Sequence, residues 1–261
     1  MRRQRRLADP LIDLRLFRAP AFCGALAAYT LGTFVGFGAY VFIAQYLQLV
    51  LGLPPLTAGL WTVPSMLAYT AGSFVVPRIV RRVPAAYVMS GGMALATVGF
   101  GVLTRVDGRG DLAVLITGLV IYSIGLSPVV ILATDLIVGS APVERAGAAS
   151  AISETSSELG GALGIAILGS VGTAIYRLHL TGAMPAGVPP EAADAARATL
   201  GGAVAAAQRL PHAVGAELLE VVRAAFTRAF ETTAAINGAL SIATAILAAV
   251  LLRRVGTGLE R

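Results

Sequence analysis

"LAVLITGLVIYSIGLSPVVILATDLIV", residues 112–138, carries no charged side chain until Asp135. About 20 apolar residues suffice to cross a bilayer as a helix. A helix satisfies its own backbone hydrogen bonds, which lipid cannot do. This stretch therefore reads as a membrane span, and five further stretches read the same way. They lie within residues 21–50, 56–80, 85–103, 146–175 and 229–252. The first is longer than one membrane thickness and must tilt or project. Hydrophobic residues make up 56% of the 261 and charged residues 13%, about half the share of a soluble domain. The expected fold is an all-α integral membrane bundle of six helices, crossing the bilayer repeatedly.

The remaining segments divide by charge. Residues 1–20 form a basic lead-in, 176–228 a long Ala-rich segment, and 253–261 a short basic tail. Every cation is Arg. The lead-in, the turn after span two, Arg145 in the turn after span four, and the tail all fall on one side of a six-span chain. They hold thirteen arginines, whereas the opposite short turns hold only Arg105 and Arg109. Positive residues stay cytoplasmic, so both termini are expected in the cytoplasm of a cell with this chain in its inner (plasma) membrane. Residues 176–228 are then external. Within them "PEAADAARATLGGAVAAAQRL" (190–210) and "GAELLEVVRAAFTRAF" (215–230) show helical spacing. They read as a helical hairpin over the outer mouth, or as a solvated linker.

Several function classes drop out. The arginines flank apolar spans and form no basic face, so no nucleic acid is expected as a partner. The two histidines, His179 and His212, sit outside the spans without metal-ligand spacing. No nucleophile–base pair suits an intramembrane enzyme, and no metal or organic cofactor is implied. Cys23, the single cysteine, cannot form an intramolecular disulfide.

Acids inside the spans are the informative residues. Asp135 lies near the cytoplasmic end of span four. Glu154 and Glu158 lie four apart in span five and so share a helix face. At ~1.5 Å per residue, Glu154 is about 12 Å and Glu158 about 18 Å from the start of that span. A charged carboxylate at that depth is costly and should face a cavity, where it can take up a proton or a cation. The alternative is that "SETSSELGG" belongs to the cytoplasmic turn. Gln45 and Gln48 either line a polar route or sit at the interface. Tyr29, Tyr40, Tyr69 and Phe37 either stack on a flat cation or pack. Gly32 with Gly36, and Gly160 with Gly164, are small-xxx-small pairs, and Gly161, Gly169 and Gly172 extend the small surface of span five.

Three stretches resemble one family. "ADPLIDLRLFRAPAF" (8–22) is similar to the lead-in to the ninth span of major facilitator superfamily transporters of the fourteen-span drug:proton antiporter group, the QacA/EmrB type. "YLQLVLGLPPLTAGLWTVPSML" (46–67) resembles their ninth-to-tenth turn. "ATDLIVGSAPVERAGAASAISETSSELGGALGIAILGSVG" (133–172) resembles their twelfth and thirteenth spans. "GSFVVPRIVRRV" (72–83) looks like a degraded copy of the superfamily's cytoplasmic Gly-Arg loop, with Gly72, Arg78 and Arg82 matching and the acidic residue missing.

The resemblance implies one half of a major facilitator fold, the C-terminal half of a multidrug exporter driven by the proton gradient. It implies roles in proton coupling and cation recognition for Glu154 and Glu158. It also implies lipophilic cations as substrates, and a missing N-terminal half or a second copy as partner, since such substrate sites lie between two halves. The alternative is a non-transporting remnant or regulatory membrane partner built on the same helices.

Overall fold

The computed structural model describes residues 16–108 and 112–252. Arg109, residues 1–15 of the basic lead-in and the tail 253–261 lie outside the described residues. Eight helices follow in order: α1 (Pro20–Gln45), α2 (Pro55–Val80), α3 (Ala85–Leu103), α4 (Leu112–Gly139), α5 (Ala146–Leu180), α6 (Pro190–Ala198), α7 (Leu200–Ala207) and α8 (His212–Leu252). Six of them, α1 to α5 and α8, are long and apolar enough to cross a membrane. They alternate in direction, and Gly24 near the start of α1 lies against Leu252 at the end of α8. Both ends of the described bundle therefore share one side, and α6 and α7 lie on the other.

Breaks in the sequence set the helix limits. A π-helical turn, Tyr46–Val50, unwinds the end of α1, and Gly52 at φ +68° reverses the chain. Only a residue without Cβ takes that conformation cheaply. Pro54 and Pro55 then start α2, where a missing N–H costs nothing. Pro128 stands inside α4 and cannot donate to the carbonyl of Ile124 four residues back. The Ser127 hydroxyl donates to that carbonyl instead, at 3.0 Å, so the helix continues.

Helix α4 is the spine, and glycines of three neighbours meet it over residues 125–129. Gly32 and Gly36 of α1 face Val129 and Leu126, Gly72 of α2 faces Ser127, and Gly92 of α3 faces Gly125 and Pro128. On the other flank α5 lies on α1, where Gly160 and Gly164 press against the backbone of Thr30 and Phe34. Helix α8 packs on α3 and α1, and the Ser90 hydroxyl bonds to the Ala245 carbonyl at 2.9 Å. Close backbone approach of this kind drives helix association in lipid, where apolar burial does not.

The Ala-rich segment differs from the hairpin its periodicity suggests. Residues 190–210 do not make one helix. Thr199 is extended, its hydroxyl accepts from Gly202 N–H at 3.0 Å, and it caps a separate α7. Residues 215–230 make no independent arm either. They are continuous with span six, because nothing between Pro211 and the membrane run breaks a helix. Span five likewise continues to Leu180. The Tyr176 hydroxyl donates to the Ala196 carbonyl at 2.9 Å and Arg177 Nε to the Arg197 carbonyl at 3.0 Å, tying α6 to α5.

Neighbouring glycines of α3 give opposite predictions. A Cβ on Gly92 would lie 2.5 Å from the Gly125 carbonyl oxygen, while one on Gly91 meets nothing within 4 Å. Gly92→Ala should destabilise by about 1–3 kcal/mol. Gly91→Ala should be neutral or stabilising by up to about 1 kcal/mol. Thermal melts of the chain in detergent separate the two, and equal shifts would contradict this packing.

Candidate functional site

Three polar faces turn inward between α1, α2 and α4. Thr62, Ser65 and Tyr69 recur along one side of α2, and Tyr40 and Tyr122 approach from α1 and α4. Together with Ser123 they line a cleft of about 260 Å³. Tyr40 is exposed, while Tyr122 is buried behind it. The Ser65 hydroxyl donates to the Thr62 carbonyl at 2.7 Å, which secures it on its own helix. Aromatic walls with a few hydroxyls suit a flat, mainly apolar molecule.

Among the residues singled out from the sequence, Tyr40 and Tyr69 reach this cleft. Tyr29 is buried and does not line the cleft. Gln45 lines a different cavity, of about 180 Å³, beneath α6 and α7, and Gln48 is exposed. Tyr122 and Ser123 were not anticipated. The signal was present as a polar pair inside an otherwise apolar run, four residues before Ser127 and Pro128.

Glu154 and Glu158 lie on α5, which begins at Ala146, so neither belongs to the preceding turn. Both are exposed, on the face turned away from the Gly160 and Gly164 stripe that packs on α1. Asp135, near the end of α4, is exposed as well. Among the described residues no salt bridge joins these three acids to each other or to an arginine. All three acids are exposed, and none of them lines the tyrosine cleft.

The loop residues separate. Gly72 is not in a loop: it lies two turns inside α2, packed on Ser127, where a side chain would collide with α4. Arg78 stands in the last turn of α2 and donates to the Phe74 carbonyl. With Arg81 and Arg82 it borders a wide, open hollow of about 840 Å³ at the helix end. Arg145 closes the short 3-10 turn before α5, its backbone N–H donating to the Pro142 carbonyl at 2.8 Å. Gly169 does not belong to the packed small surface, since a Cβ there meets nothing within 4 Å. Arg223, on the projecting part of α8, donates from Nε to the Leu49 carbonyl at 3.1 Å and so caps the end of α1.

Six spans with an aromatic–hydroxyl cleft opening to one side define a multi-pass membrane protein of transporter architecture. The sequence profile of the Major Facilitator Superfamily matches residues 2–165, and the chain belongs to that family. It is 38% identical over 97% of its length to the multidrug efflux pump LfrA of Mycolicibacterium smegmatis, covering 50% of that protein. It is 32% identical over 87% of its length to the methyl viologen resistance protein SmvA of Salmonella typhimurium, covering 45%. A crystal structure of a bacterial homolog of the human lysosomal transporter Spinster, inward-facing and unoccupied, superposes with a TM-score of 0.66. It does so at 17% identity over 93% of this chain and 51% of that one. The chain thus spans about half the length of the curated relatives it matches.

If the acid face of α5 is water-lined, cysteines placed there will react. In a Cys23→Ala background in nanodiscs, Glu154→Cys and Glu158→Cys should label with a charged maleimide at least about tenfold faster than Ala149→Cys, which is fully buried. Equal rates would place the acids against lipid or protein.

Proposed function

We propose that this chain acts as the C-terminal half of a proton-coupled multidrug exporter of the fourteen-span QacA/EmrB type, in the inner (plasma) membrane. The observation that carries this reading is the aromatic cleft between α1, α2 and α4 together with the carboxylates of α5, which the chain's own helices leave uncovered. A transporter of this architecture needs a second wall there. The wall is an N-terminal half or a second copy, and half-length coverage of efflux proteins supports the first.

In this mechanism a lipophilic cation lies among Tyr40, Tyr69 and Tyr122 by ring stacking. Its charge is balanced by an acid on α5. Glu158 is the deeper carboxylate. It takes up a proton when the cavity faces outward and yields it inward, and the cation competes for the same negative charge. Alternating access couples the two. Glu154, one turn nearer the start of α5, contacts the cation or relays the proton. Asp135 gates the inner mouth, and Arg78, Arg82 and Arg145 border the cytoplasmic loops.

The test is dye efflux against an imposed pH gradient, with the chain co-expressed with the N-terminal half of the M. smegmatis pump. Glu158→Gln should lower proton-driven export at least about tenfold, the scale of losing one charge-assisted contact, while expression is unchanged. Glu154→Gln should narrow the range of cations exported. Wild-type rate and pH dependence in Glu158→Gln would remove this carboxylate from the coupling step. Alone in vesicles, the chain should show no drug-dependent proton movement; transport by the single purified chain would point to a homodimer.

Topology has its own expected outcome. With both termini cytoplasmic, a cysteine replacing Ala186 in the Cys23→Ala background should react with an impermeant maleimide on intact cells. Label that appears only after lysis would reverse the orientation.

A further inference from the structure

The cavity beneath α6 and α7 is separate from the tyrosine cleft and is built differently. Its floor is an aromatic cluster. Phe42 and Phe226 lie 6.1 Å apart between ring centroids, inclined at 32°, and Tyr176 meets Phe226 edge-on at 6.5 Å. The Tyr176 hydroxyl is already engaged with the Ala196 carbonyl, so Tyr176 presents its ring to the space. The roof is the Thr199 break between α6 and α7. No charged side chain lines the cavity.

One wall is polar. Gln45, at the end of α1, contributes an amide that makes no hydrogen bond with any described residue. It offers two donors and an acceptor to whatever enters. Thr173 of α5 lines the same cavity. Gly169 also lines it and leaves room for a side chain, since a Cβ there would meet nothing within 4 Å. An apolar pocket with a few convergent polar groups is the usual form of a small-molecule site. At about 180 Å³ it holds one or two aromatic rings.

We infer that this cavity is a binding site for a neutral one- or two-ring aromatic molecule bearing an amide-like group, held by ring contact with Phe42 and Phe226 and by hydrogen bonds to Gln45. Neutrality follows from the uncharged lining. Glu158 is eleven residues from Gly169 along α5, about 16 Å at ~1.5 Å per residue, so this site does not draw on the carboxylates. The inference stands on this cavity alone. Its failure would leave the proton-coupled reading untouched, and failure of that reading would leave this site intact.

The probes are 4-fluorobenzamide and fluorobenzene, followed by fluorine NMR with the purified full chain in nanodiscs. Wild type should bind the amide saturably and more tightly than fluorobenzene. Gln45→Met keeps the length and removes the amide, so it should weaken 4-fluorobenzamide about tenfold, the scale of one or two net hydrogen bonds, and erase its advantage over fluorobenzene. Gly169→Leu should abolish binding of both probes while the melting curve stays that of a folded chain. Leu67→Ala, on the exposed face of α2, should change nothing. No saturable binding in wild type would overturn the inference. So would an amide preference that survives Gln45→Met, or unchanged binding in Gly169→Leu.

Discussion

Three helices touch α4 through glycine within a span of five residues, and the architecture follows from that crossing. Gly92 lies against the Gly125 backbone, Gly72 makes room for the Ser127 side chain and Gly32 for Val129, so a Cβ at these positions would crowd α4. In lipid, such contact supplies the attraction that water-driven burial supplies elsewhere. The same five residues include Pro128, whose unpaired partner carbonyl is taken by Ser127. The tightest packing thus coincides with a break in the helix ladder. Glycine, serine and proline are needed together: space, a substitute donor and a local bend.

That crossing also determines what stays uncovered. Helix α2 packs chiefly on α4, and α5 chiefly on α1 and α8, so each turns a broad face away from the bundle. On α2 this face shows Leu56, Leu60, Leu67 and Phe74, and on α5 it shows Leu159 and Ile167 besides the acids. The cleft lies between the covered and uncovered sides. Its Thr62 and Ser65 hydroxyls each donate to a carbonyl of their own helix at 2.7 Å, so these two polar groups need no partner from a guest.

Much of this was legible in the residues, and the limits have physical causes. Six apolar runs gave six helices, and the third occupies Ala85–Leu103 because prolines and polar turns flank it sharply. Span six was read as starting near Ala229, but the helix starts at His212. Hydropathy marks where a helix becomes apolar, not where it begins, and an amphipathic extension has no stop signal. Gly72 matched a loop pattern yet serves a helix crossing, since spacing alone cannot tell a turn glycine from a contact glycine. Tyr40 stood out as an aromatic in a span, whereas Tyr122 and Ser123 were lost among apolar neighbours, their meaning set by which helices face them. The exposure of Glu154 and Glu158 depends on the helix face that packs on α1, and two spaced glycines were its visible sign.

The unbroken α8 acquires a mechanical meaning from its length. Its 41 residues extend about 60 Å, twice the thickness of a bilayer's apolar core. Roughly half of it therefore stands clear of the membrane as a rigid mast. Arg223 ties that mast to the end of α1, and a tilt of about 10° at the buried part would swing a tip about 30 Å away by ~5 Å. Small rotations inside the bilayer would be amplified beyond it, and the Arg223–Leu49 bond, with the ring contacts of Phe226 and Phe230 on Phe42 and Tyr46, would pass that swing to the first span.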